Sequence, residues 1–247
     1  MKYVLANWKM YLAGDQAAEL LRNVQVGLAE RFPVGRQPPT LIVCPPFTSL
    51  APLSALVDRR LVQLGAQNCH WEAEGPYTGE ISPRMLAGLV DYVLIGHSER
   101  RAAGESDDQS ARKVAAAAAA GLTPILFVGE DEPTSSATDQ AERRLGRGLA
   151  EVDLERRHVL IVYEPTWAIG VDRPADSRHV RGVVEQLKDR LGELGARRPE
   201  VIYGGTVNAG NVEQFTGIDV LDGVGATRGS LEASELLRIV ERVASAD

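Results

Sequence analysis

A closed (β/α)8 barrel is the fold class this sequence predicts, and three observations predict it. Short β-rich apolar runs alternate with longer stretches of helical spacing; the alternation occurs eight times; and it stays in phase through all 247 residues. Eight strand-helix pairs in a chain of this length fit a barrel better than a doubly wound open sheet. Counting units leaves closure itself to the structure. The expected organisation is one domain, residues 1–247, because no composition shift interrupts the repeat.

The strand candidates are YVLANW at 3–8, TLIVCP at 40–45, LVQLGAQN at 61–68, DYVLIGH at 91–97, TPILFVGE at 123–130, HVLIVYE at 158–164, EVIYGG at 200–205 and DVLDGVG at 219–225. Helical spacing follows at 15–31, 47–59, 83–88, 106–120, 137–151, 177–195, 210–215 and 232–246. Pro83 suits a first helical turn, Gly121 a C-terminal stop, and Asn208 a cap. The alanine run 115–120 is strong helix former. The polar segment 131–140 reads as a surface loop after the fifth strand.

Composition narrows the function. Apolar residues make up 44% and charged residues 25%, as in a globular protein with a full core. No apolar stretch is long enough to span a bilayer and no signal-peptide pattern opens the chain, so a cytoplasmic location is expected. Cys44 and Cys69 lack metal spacing and read as two reduced thiols. A net charge of −7 argues against nucleic acid and membrane surfaces as partners. Any anionic ligand must be held by local groups.

Four fragments fall at the C-terminal ends of predicted strands: NWK at 7–9, IGHSERR at 95–101, YEPTWAIG at 163–170 and YGGTV at 203–207. In a barrel these ends share one face. They bring a cation (Lys9), an acid/base pair (His97 and Glu164) and free backbone amides around Gly204 and Gly205. Each alone is ordinary, since a lone lysine is usually solvated and a lone histidine usually a satisfied core residue. Together they point to proton transfer on a small phosphorylated molecule.

With AQNC at 66–69, TGEIS at 78–82 and GESD at 104–107, these fragments resemble the triosephosphate isomerase family over nearly the whole chain. That family is the standard example of acid/base tuning beneath a closing loop. The resemblance implies catalytic roles for Glu164 as general base, His97 as electrophile and proton shuttle, and Lys9 as the cation on the developing oxyanion. Asn7, Gly170, Gly204, Gly205, Thr206 and Arg228 would bind substrate, and Ser98, Glu99 and Tyr203 would support the site. Residues 165–174 match the lid, tipped by Ala168, Ile169 and Gly170, with Tyr203 and Thr206 holding it closed. No metal or other cofactor is implied. The segment 67–79, from Gln67 to Gly79, matches a loop that inserts into a neighbouring subunit, with Thr78 beside that subunit's Asn7 and Lys9. Trp71 and Tyr77 would be its anchors in a homodimer.

The chain also departs from the pattern. Thr227 and Arg228 stand where the family has two phosphate-binding glycines, and Val171-Asp172-Arg173-Pro174 replaces a Thr-Gly-Lys-Thr type of hinge. Phe127 stands where a cysteine is usual, and the loop after Arg101 is one residue short. His70-Trp71, the arginine after the last strand and a proline-alanine pair in the hinge are similar to the erythrulose-phosphate isomerases. The expected reaction is therefore interconversion of dihydroxyacetone phosphate and glyceraldehyde 3-phosphate through an enediolate. The alternatives are isomerisation of a tetrulose phosphate and, from another class, a non-catalytic barrel that binds phosphosugars. Proton exchange from solvent separates the last from the first two.

Overall fold

The computed structural model describes the chain apart from residues 34, 134–136, 172, 173, 227 and 247. Eight parallel strands close in sequence order into one barrel. They are β1 (Tyr3–Asn7), β2 (Thr40–Cys44), β3 (Val62–Ala66), β4 (Tyr92–Ile95), β5 (Thr123–Val128), β6 (Leu160–Tyr163), β7 (Val201–Tyr203) and β8 (Gly223–Ala226). Pairing of Tyr3 with Gly223 and of Ala6 with Ala226 completes the circle. A Cβ on Gly223 would come within 2.2 Å of the Tyr3 carbonyl oxygen, so the seam needs a glycine there.

Alternation along each strand divides the apolar residues between two cores. Tyr3, Leu5, Ile42, Leu94, Ile125, Leu160, Val162 and Ile202 fill the barrel interior. Val4, Ala6, Leu41, Val43, Val93, Leu126 and Ile161 face the helices. Both faces are dry, which is why the sequence shows continuous apolar runs in place of a period of two.

The outer helices are α1 (Gly14–Arg31), α2 (Phe47–Leu56), α3 (Pro83–Leu86), α4 (Ser98–Ala102), α5 (Asp107–Ala119), α6 (Ala137–Leu149), α7 (Ser177–Glu193), α8 (Glu213–Thr216) and α9 (Ala233–Ala244). Local chemistry sets their ends. Ser106 and Gln109 form a reciprocal capping box on α5, and Gly121 turns the chain at φ 83° after it. Pro83 occupies the first turn of α3 behind the Ser82 cap. The Asn208 side chain accepts from the Gly210 and Asn211 amides, capping the turn that leads to α8.

Three boundaries differ from the sequence reading. Residues 219–222 form a turn, and the last strand begins at Gly223. The Asp222 carbonyl accepts from the Lys2 and Tyr3 amides and its carboxylate from the Val201 amide, so this residue plugs the base of the barrel. The second helix stops at Leu56, short of residue 59. The polar segment 131–140 is a loop only in part, since α6 starts at Ala137 and Gln140 reaches back from it to Asp131.

Candidate active site

At the C-terminal ends of the strands the chain turns sharply after β1. Lys9 has φ 50°, the only positive value outside glycine among the described residues. Such a conformation costs about 1–3 kcal/mol and needs support from its surroundings. The Asn7 side chain supplies it by accepting from the Lys9 amide at 3.0 Å, and Gln67 donates to the Lys9 carbonyl at 2.8 Å. Gln67 is a residue the sequence reading left without a role at this position. The Lys9 ammonium then meets Glu99 at 2.7 Å.

His97 is the N-cap of α4, and its Nδ1 accepts from the Glu99 amide at 3.2 Å. An accepting Nδ1 carries no proton, so the proton of the neutral ring sits on Nε2. That nitrogen lies 3.3 Å from Glu164 Oε1. Phe127 meets the imidazole edge-on at 4.9 Å and backs it with an apolar wall. The phenylalanine flagged in the sequence thus packs on the catalytic candidate itself.

Glu164 is buried, 5% exposed. Its Oε2 accepts from the Ser98 amide at 2.9 Å. Burial pushes its carboxyl above the ordinary range, against the pull of His97, Ser98 and Lys9. The position depends on a glycine opposite, because a Cβ on Gly129 would lie 2.1 Å from the Glu164 carbonyl oxygen. A carboxylate that is short of partners and beside a neutral imidazole N–H is suited to taking a proton from carbon.

Supporting groups lie beneath this pair. Glu105 is buried and accepts from the Gly96 amide at 3.1 Å, from Ser110 at 3.0 Å and from Lys113 at 2.5 Å. Burial alone would raise its carboxyl, but Lys113, Ser110 and Arg100 hold it below the ordinary value. The network fixes the turn that presents His97. Lys113 escaped the sequence reading because a lysine within an alanine-rich helix looks like a solvated residue; only the packing of α5 against β4 turns it inward.

The lid segment follows Glu164. Thr206 donates to the Ala168 carbonyl at 3.1 Å, and Tyr203 accepts from the Ala175 amide at 3.1 Å, so of the two hydroxyls expected to hold the lid one reaches its tip and the other the residue just past its trailing end. Asp172 and Arg173 of the second hinge lie outside the described residues, as does Thr227. The amides expected to hold phosphate divide into two kinds. The Gly204 N–H is already donated to the Tyr163 carbonyl at 2.8 Å, and the absent side chain at that position leaves room for Val162. The Gly205 and Gly170 N–H groups have no acceptor among the described residues. The Arg228 side chain is exposed and has no hydrogen bond or ion pair among the described residues either.

A family model described as "Triosephosphate isomerase" matches residues 2–243. A protein of that name from Chloroflexus aurantiacus is 40% identical over 248 residues, covering 96% of this chain and 97% of the relative. One from Synechococcus sp. is 38% identical over 242 residues, covering 96% and 95%. A crystal structure of triosephosphate isomerase from Bartonella henselae superposes with a TM-score of 0.83 at 30% identity, covering 98% of each chain.

Proposed function

The chain belongs to the triosephosphate isomerase family, an aldose-ketose isomerase of phosphorylated sugars, and from that premise we propose how its own residues divide the work. Its reaction interconverts dihydroxyacetone phosphate and glyceraldehyde 3-phosphate. Glu164 removes the proton from the carbon beside the carbonyl and returns it to the neighbouring carbon. His97 donates from Nε2 to the carbonyl oxygen and passes protons between the two oxygens of the enediolate. Lys9 offsets the negative charge that develops, with Glu99 and Asn7 fixing the ammonium and its backbone. The observation that carries this reading is the contact of 3.3 Å between a buried, proton-hungry Glu164 and the protonated nitrogen of a neutral His97.

Phosphate is held by the free Gly170 and Gly205 amides and by Arg228, with Gly204 providing clearance for the chain. Arg228 is a point of variation in substrate choice, because a guanidinium replaces backbone amides as the anion partner. Two copies of the chain form the working unit through residues 67–79. Tyr77 in this segment and Met10 and Tyr11 after β1 are exposed large apolar side chains, which supports the reading. Trp71 contributes less than its size suggests, since His70 stacks on it at 4.2 Å and Arg112 covers it at 4.4 Å within the same chain. The cytoplasm is the compartment that suits such an enzyme, and among the described residues no helix is long and apolar enough to cross a membrane.

The test is turnover of dihydroxyacetone phosphate, glyceraldehyde 3-phosphate and both erythrulose phosphates by one preparation in deuterated water. The triose phosphates should be preferred, with deuterium entering at the carbon that Glu164 serves. Preference for a tetrulose phosphate would reassign the substrate, and absence of exchange on all four would make the barrel a binding protein. Arg228→Ala should raise KM several-fold at nearly constant kcat, since it removes binding energy shared by ground and transition states.

A further inference from the structure

Glu130 lies in the loop after β5 and is completely buried. Three donors converge on its Oε1: the Tyr163 hydroxyl at 2.8 Å, the Trp167 indole N–H at 2.9 Å and His179 Nε2 at 3.0 Å. Its Oε2 has no hydrogen-bond partner among the described residues. Trp167 belongs to the leading segment of the lid, while His179 sits in the first turn of α7, just past the lid's trailing end. The two flanks of the expected lid are therefore tied to a single buried oxygen.

A carboxylate oxygen offers about two lone-pair directions, so three donors exceed what it needs. An imidazole nitrogen at 3.0 Å from it must carry a proton, or two lone pairs would face each other. The same nitrogen lies 2.9 Å from the Tyr163 oxygen. Tyr163 and His179 are held by β6 and by a long helix, whereas Trp167 belongs to the expected lid. The donor best placed to leave Oε1 is the indole.

We propose that His179 is a positioning residue for the lid, acting through Glu130. Its N–H keeps Oε1 satisfied when Trp167 withdraws, so the lid can exchange between positions without baring a buried carboxylate. Remove the imidazole donor, and the indole bond becomes one of only two that Oε1 possesses. The lid should then be held longer by Trp167 and move more slowly. This inference rests on residues 165–174 acting as a lid, as the family resemblance implies.

The experiment compares His179→Ala and His179→Gln with the unaltered protein. All three tryptophans are labelled with 5-fluorotryptophan so that fluorine NMR reads the exchange of Trp167 directly. His179→Ala should slow that exchange and lower kcat by about tenfold, the effect of roughly one net hydrogen bond, with KM changing less than about twofold. His179→Gln, which returns an N–H donor, should recover most of both. Release of inorganic phosphate from the enediolate during turnover reports lid failure and should change in step with the exchange rate. Unchanged Trp167 exchange in His179→Ala overturns the proposal. Equal slowing in the Ala and Gln variants also overturns it, because the ring would then act by packing against Trp167. Failure of the unaltered protein to isomerise any phosphosugar would defeat the functional reading, and the fluorine measurement would still decide the part played by His179.

Discussion

Two buried carboxylates at opposite ends of adjacent strands behave in opposite ways. Glu164 follows β6 at the end that gathers the reacting groups, and burial drives its carboxyl up. Glu200 precedes β7 at the other end and is 3% exposed. Burial would raise it too, but donation from Lys2 at 3.0 Å, Tyr3 at 2.8 Å and Arg198 at 3.1 Å holds it below the ordinary value. Burial alone does not make a base. The difference is the number of donors assigned to the ionised form: Glu200 is tied to a ring of charge, while Glu164 has one amide and one neutral imidazole. The base of the barrel is built for stability, and the rim keeps a carboxylate in an unfavourable state that chemistry can use.

The largest expected effect comes from removing the reactive carboxylate. Glu164→Gln should lower kcat by about 10²–10⁴-fold, the usual contribution of a positioned general base, with little change in substrate binding. Stability should rise in the same variant, because a poorly compensated buried acid has been removed. A fall in melting temperature would break the contrast between the two ends.

Next is the support beneath the site. Lys113→Met leaves Glu105 buried without its main cation and should cost about 3–5 kcal/mol in denaturant unfolding. Activity should fall with it as the Gly96 turn loosens. A variant of full stability would show that Arg100 alone suffices.

Glu200→Gln should cost less, about 1–3 kcal/mol, because Lys2 and Arg198 are exposed enough to be rehydrated once the carboxylate is gone. Its kcat and KM should stay at the level of the unaltered protein. Loss of activity without loss of stability would mean that the base of the barrel communicates with the rim.

The smallest effects are in the pH dependence, and their signs differ. Glu200 is lowered in the folded state, so its contribution is present above about pH 4.5, where the unfolded carboxyl is ionised, and is lost as pH falls through the lower folded value. Glu164 is raised, so the folded chain holds its proton more tightly, and stability falls as pH rises from about 4.5 toward the folded value. Unfolding midpoints measured from acid to neutral pH should show the deficit of Glu200→Gln vanishing in acid. The gain of Glu164→Gln should vanish there as well. A Glu164→Gln gain that persisted at low pH would assign it to packing.

The alternation of apolar runs and helical spacing determined the class of fold. The fragments at 7–9, 95–101, 163–170 and 203–207 pointed to the candidate site, because the handedness and order of a parallel barrel leave one face on which strand ends can meet. Helix-end signals such as Pro83, Gly121 and Asn208 were legible because their chemistry is local. Tertiary structure alone decided which charges would be inside. Lys113 and His179 look like surface residues in a linear reading, nothing there marks Glu105, Glu130 or Glu200 as buried acids, and each acquires its role from a partner elsewhere in the fold, as Glu200 does from Tyr3 at 197 residues' separation. It also decided that the Gly204 N–H is donated to the Tyr163 carbonyl while that of Gly205 has no acceptor among the described residues. Periodicity reports which face of an element is apolar. It carries no information on whether a buried acid will find many donors or few, and that difference sets the direction in which its carboxyl shifts.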